Sequence, residues 1–171
     1  RGVDLAILDP DQIDLRNPPI PHPHPLPQGE RESIFIAYLS VGEADEHRPF
    51  WPQVKGSSYL VEANPDWPGA HRIDLRSEVW RQLLLKEVIP AIVAKGYQGL
   101  FLDTLDVPLY LEGKDPKKYA GSRQAAIAFV KTIHQQFPEL KILPNNGLEM
   151  LVDYGDTIDG VVVEDLYTRH D

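Results

Sequence analysis

Five times along the chain, an apolar run suited to a buried strand stops at a carboxylate, an amide or a hydroxyl. The runs are "VDLAILDPD" (3–11), "IFIAYLSVGEAD" (34–45), "YQGLFLDTLD" (97–106), "LKILPNNG" (140–147) and "IDGVVVEDLY" (158–167). A continuous apolar strand, without alternation, belongs to a sheet covered on both faces, and such sheets are parallel. Helical patterns separate the later runs and no hairpin signal joins them, so right-handed parallel crossovers follow. Residues 3–8, 34–40, 97–102, 141–144 and 158–163 are therefore expected as adjacent parallel strands in that order, with their polar tips on one rim.

The connecting segments fit this plan. Ser77 is a natural N-cap with Glu78 in the first turn, and Gly96 is a natural C-cap. Between them Val79, Leu83, Leu84, Val88, Ile92 and Val93 fall near helical spacing, with Pro90 as an expected kink. A second helix, from about Gly121 to Gln136, presents Ala125, Ala126, Phe129, Val130 and Ile133. Residues 43–75 read as irregular, with aromatic residues set among turn formers. "NPPIPHPHPLPQGERES" (17–33) holds six prolines and cannot be helical; it reads as an extended, exposed loop. At 171 residues the chain makes one domain.

In sheets of this kind, ligands bind where strands end at their carboxyl edge. Here the tips carry Asp9, the stretch Ser40 to Glu43, Asp103, the pair Asn145 and Asn146, and Glu164. Asp9 and Asn145 could equally be turn formers. Glu43 and Glu164 have little such reason to stand there. The net charge of −9 speaks against nucleic acid, and no apolar run approaches the ~20 residues of a membrane span. Without cysteine there is no thiol nucleophile and no thiolate metal site. Neither a phosphate-binding glycine loop nor a serine-nucleophile elbow follows a strand. The histidines, His22 and His24 of the Pro-rich loop included, form no facing pairs at the tips, so no metal site is expected. What remains is a carboxylate pair, which suffices to hydrolyse a glycosidic bond with neither metal nor cofactor.

The segments "YLSVGEAD", "NPDWPG", "GYQGLFLDTLD", "ILPNNG" and "IDGVVVEDLY", in that order, resemble glycoside hydrolase family 114, the endo-α-1,4-polygalactosaminidase-like group. The resemblance implies a (β/α)₈ TIM barrel of which strands two to six are readable here, so the barrel is expected to be incomplete. It further implies a secreted or periplasmic protein cleaving α-1,4-linked, galactosamine-containing polysaccharide. The catalytic carboxylates carried over by position are Asp103 and Glu164. The family usually has Asn where this chain has Thr104, and often Gln-Asn where it has Asn145 and Asn146.

The leading expectation is thus a metal-independent polysaccharide hydrolase, with Asp103 and Glu164 catalytic. Asp9, Tyr38, Ser40, Glu43, Asp106, Asn145 and Asn146 would bind substrate, and Trp51, Trp67 and Tyr167 would stack on sugar faces. A carbohydrate-binding barrel without activity is the alternative. A barrel aldolase or metal hydrolase would need a lysine or histidine cluster at the tips, which the sequence does not offer. A pairing of Glu43 with Arg48 would mark Glu43 as structural.

Overall fold

The computed structural model describes residues 4–17 and 33–164. Most of the Pro-rich stretch, and Tyr167 with it, lies outside them. In chain order the elements are β1 (Asp4–Leu8), β2 (Ser33–Ser40), β3 (Glu43–Asp45), α1 (Trp51–Val54), β4 (Leu60–Ala63) and β5 (Ala70–Ile73). Then come α2 (Glu78–Leu83), a π-helical turn (Leu84–Val88), α3 (Ile89–Ala94), β6 (Gly99–Asp103), α4 (Val107–Lys114), α5 (Ser122–Gln136), β7 (Lys141–Pro144) and α6 (Leu151–Tyr154).

Strands β1, β2, β6 and β7 form one sheet in that order, every pair parallel. The fifth run does not extend the ladder. It contributes one parallel bridge, Asn145 to Val162. Below that bridge the Asp159 carboxylate, rather than a backbone carbonyl, accepts the Ile142 N–H at 2.9 Å, so a side chain stands in for the strand. The result is an arc of a (β/α)₈-type barrel that does not close among the described residues.

Alternation along the strands gives the arc two different faces. Ala37, Leu39, Leu100, Leu102 and Ile142 join Leu84, Ile89, Phe129, Val130 and Ile133 in one core beneath the helices. Tyr38, Ser40, Phe101 and Asp103 point the other way. Trp80, wholly buried, anchors α2 by donating its indole N–H to the Val41 carbonyl at 2.9 Å.

Two expectations need correction. The 77–95 helix starts at its Ser77 cap and ends before Gly96 at φ +95°, but its phase slips midway. Pro90 has no N–H to offer the carbonyl four residues back, and the turn before it widens to π geometry. One extra residue in that turn brings Ile89 inward after Leu84, and Val79 and Val93 are left exposed. Residues 43–73 are not irregular: β3, β5 and β4 make an antiparallel sheet of very short strands. Helix α4 (Val107–Lys114) follows the β6 tip, in a segment for which the sequence carried no expectation. Pro108 sits in its first turn, where a missing N–H costs nothing.

Candidate active site

Parallel register sets the first row of the site. Ser40 is paired with Asp103, and Leu102 with Pro144, so Asn145 follows beside Asp103 on the next strand. Asp103 is gripped at both oxygens. The Tyr38 hydroxyl donates to Oδ2 at 2.6 Å and the Asn145 amide donates to Oδ1 at 3.0 Å. Burial first, and then the neighbouring Asp103 charge, push the Tyr38 phenol well above its ordinary range. It therefore stays a donor at any physiological pH.

The backbone beside Asp103 is unusual. Thr104 has φ +62°, a left-handed conformation that a β-branched residue enters at a cost of roughly 1–3 kcal/mol. Its hydroxyl offsets part of this by meeting the Ser40 hydroxyl at 2.8 Å and accepting the Gly42 N–H at 2.8 Å. Asparagine tolerates this conformation better, which gives a physical reason for the Asn usual at this position in the resemblance. Gly42 approaches so closely that a Cβ there would lie 2.2 Å from the Thr104 carbonyl oxygen.

The antiparallel sheet supplies the opposite wall. Its central Arg72 is registered against Glu43 on β3 and Glu62 on β4, carboxylates on both sides. The guanidinium lies 2.9 Å from Glu62 and 3.8 Å from Glu43, and rests over the Tyr110 ring of α4 at 4.2 Å. Lys114 adds a third contact to Glu62, and these donors hold that carboxyl down at about 2. Glu43, only 6% exposed, accepts from the Asn64 amide at 2.8 Å; burial nonetheless pushes its pKa up. It does not pair with Arg48. Asp106, at the start of α4, is pushed up too, by burial and by Asp103.

These groups line one cleft of about 540 Å³. Tyr38, Ser40, Glu43, Asp103, Asp106, Asn145, Asn146 and Glu164 all border it, as the strand-tip argument expects. Glu164 is exposed at the mouth, its backbone N–H bound to the Asn146 side-chain oxygen at 3.1 Å. Trp67 also borders the cleft and is 71% exposed. Two expected residues stand elsewhere. Asp9 is not in the lining; it takes the Arg48 guanidinium at 2.8 Å and the Asp11 N–H at 2.9 Å. Trp51 stacks on His71, with ring centres 5.0 Å apart.

Asp45, Asn64, Asp66, Arg72, Thr104 and Tyr110 join the lining without having been singled out as substrate contacts. Most sit on or beside strands too short to leave a pattern. A second cavity, about 300 Å³ and walled by Leu39, Phe50, Leu83 and Ile92, shares Tyr38 and Glu43 with the cleft but reaches neither Asp103 nor Glu164. Among the described residues, no group of three or more His, Asp or Glu could hold a metal ion. None of the helices described is long and apolar enough to cross a membrane.

The chain and its fold have known counterparts. An uncharacterized protein of Deinococcus radiodurans is 27% identical over 159 residues, covering 89% of this chain and 49% of the relative. The glycoside hydrolase domain of PelA from Pseudomonas aeruginosa superposes with a TM-score of 0.73 at 27% identity, over 98% of this chain and 62% of that one. Aspergillus fumigatus Ega3, solved with galactosamine, shares the fold at a TM-score of 0.68 and 19% identity, over 94% of this chain and 64% of Ega3. The chain thus spans about half the length, or less, of the curated relatives it matches and under two thirds of the PelA domain. The sequence profile of glycoside-hydrolase family GH114 matches residues 11–170, and the chain belongs to that family.

Proposed function

We propose that this chain carries the catalytic cleft of a glycoside hydrolase acting on α-1,4-linked, galactosamine-containing polymers, with Asp103 and Glu164 as its carboxylate pair. The observation that carries the reading is the grip on Asp103. Two donors, Tyr38 and Asn145, fix both oxygens of a strand-tip carboxylate that shares one cleft with Glu164. A carboxylate held in place by two donors suits the partner that faces the positive charge developing at the sugar's anomeric carbon. The Glu164 side chain makes no hydrogen bond among the described residues. In this reading Glu164 is the partner that protonates the departing glycosidic oxygen.

Charge supports the amino sugar. Among the described residues the lining has six carboxyl groups and one guanidinium, and Glu43 and Glu62 already flank that cation. Such a cleft favours a protonated amine over a neutral or anionic sugar. The solved complex of Ega3 with galactosamine is consistent with that preference. A polymer substrate also implies export, which recovery of the protein from extracellular or periplasmic fractions would check.

Reducing-end release from partly deacetylated α-1,4-galactosamine polymer, with the fully N-acetylated polymer alongside, is the direct test. Asp103→Asn and Glu164→Gln should each lose about 10²–10⁴-fold in turnover while still folding and binding oligosaccharide. Near-normal turnover in either variant would show the pair to be misassigned. Binding without any turnover by the unaltered protein would favour the inactive carbohydrate-binding alternative.

A further inference from the structure

Arg48 is buried among acids next to the site. Its side chain is 10% exposed. The guanidinium reaches Asp9 at 2.8 Å and Asp11 at 3.0 Å in the turn after β1, and Asp45 on β3 at 3.7 Å. Burying one cation against three carboxylates is an uneconomical staple, since desolvation cancels much of what such pairs gain. The position of the guanidinium gives it a second use. It lies over the Tyr38 ring, 5.4 Å from the ring centre, and that ring's hydroxyl is the 2.6 Å donor to Asp103. The other aromatic contact of the ring is Phe101, at 6.0 Å.

We propose that Arg48 is a positioning residue for the hydrolytic reaction, acting through Tyr38. Its guanidinium, clamped by Asp9 and Asp11, holds the phenol ring at the angle from which the hydroxyl reaches Asp103. The inference rests on Asp103 being catalytic. It assigns a task to Asp9, whose carboxylate sits at a strand tip yet outside the cleft: the strand-tip acid of β1 acts on the site at two removes. A guanidinium suits this task better than an ammonium. Its flat face rests on a ring while its edge donates to carboxylates, and a lysine offers no such plane.

Kinetics and structure together test the link. Arg48→Met keeps the apolar stem and removes the cation, Tyr38→Phe removes the hydroxyl and leaves the ion pairs, and the double variant closes a thermodynamic cycle. Each single change should lower kcat by about tenfold to a hundredfold, the range for losing a hydrogen bond to a charged group, with KM little changed. If Arg48 acts through Tyr38, the double variant should be scarcely slower than Tyr38→Phe alone. Arg48→Lys should recover only part of the loss. Losses that multiply in the double variant would overturn the inference, leaving Arg48 as a staple.

Crystal structures of the unaltered protein, Arg48→Met and Arg48→Lys give a readout independent of turnover. The Tyr38 hydroxyl should move beyond hydrogen-bond distance of Asp103 in Arg48→Met. An unchanged 2.6 Å contact there would refute the link whether or not the protein hydrolyses anything. A broken contact in a protein that cleaves no polymer would support the link and count against the proposed function alone.

Discussion

Replacing Gly42 by alanine tests whether the site is held by backbone packing rather than by side-chain contacts alone. An added Cβ would meet the Thr104 carbonyl oxygen at 2.2 Å and the Val107 Cβ at 2.9 Å. Ordinary contact begins near 3.4 Å, so more than 1 Å must be absorbed against the first of these atoms. That atom is backbone and cannot rotate aside. Its residue is already at φ +62° and is tied to Gly42 through the 2.8 Å hydrogen bond between the Gly42 N–H and the Thr104 hydroxyl. Relief must come from shifting the β6 tip, and Asp103 is the next residue back. Overpacking of this size costs about 1–3 kcal/mol, which in a chain of this length lowers Tm by about 2–12 °C. A displacement of about 1 Å at a catalytic group costs on the order of a hundredfold in rate. Differential scanning fluorimetry and reducing-end kinetics on Gly42→Ala measure both. A variant that melts within a degree of the unaltered protein and keeps its turnover would refute the claim that Gly42 and Thr104 position Asp103.

Trp67, exposed at the rim of the cleft, should act on binding and not on the fold. Trp67→Ala is expected to raise KM about three- to tenfold with kcat and Tm unchanged; a fall in kcat at constant KM would contradict a stacking role. Glu43→Gln should change how stability depends on pH. Burial raises the folded-state pKa of Glu43, so its protonated form is favoured, and its contribution, full below the ordinary carboxylate range, is lost as pH rises through the raised value. Glutamine mimics the protonated form and can still accept from Asn64. Urea midpoints between pH 4 and 7.5 should therefore shift in favour of the variant as pH rises, and the opposite trend would refute the assignment.

The parallel sheet was legible because its signal is redundant. Each strand is apolar throughout, each stops at a polar residue, and register then carries Ser40, Asp103 and Asn145 to one level without further instruction. The convergence of Tyr38, Glu43, Asp106, Asn146 and Glu164 on the cleft follows from the same rule. The antiparallel wall left no such trace. Strands of three or four residues, one pairing broken by an irregularity between Leu60 and Glu62, are too short to display a period. Arg72 could not be distinguished in the sequence from any surface arginine, because its importance comes from strands that meet only in three dimensions. Asp9 misled for a related reason. A strand-tip aspartate looks the same whether its carboxylate faces the cleft or a buried guanidinium, and Arg48, 39 residues away, decides the matter. The fifth run reads as a strand because "GVVV" has strand composition, but it makes a single bridge, and the Asp159 carboxylate takes the Ile142 N–H that a longer ladder would use.

The two walls of the cleft treat charge in opposite ways. On the antiparallel wall Arg72 is spent: carboxylates flank it, Tyr110 covers one face, and Glu62 is further held by Lys114. On the parallel-sheet wall no cation among the described residues faces Asp103, whose partners are the neutral donors Tyr38 and Asn145. Asp103 therefore keeps its full negative field toward the cleft, and that field helps to raise the pKa of Asp106. A salt bridge in place of Tyr38 would have anchored the carboxylate too, and would have neutralised the charge on which the proposed hydrolysis draws. Placing the one positive group of Arg48 behind the Tyr38 ring, among three aspartates of its own, anchors the donor without bringing a cation into contact with Asp103.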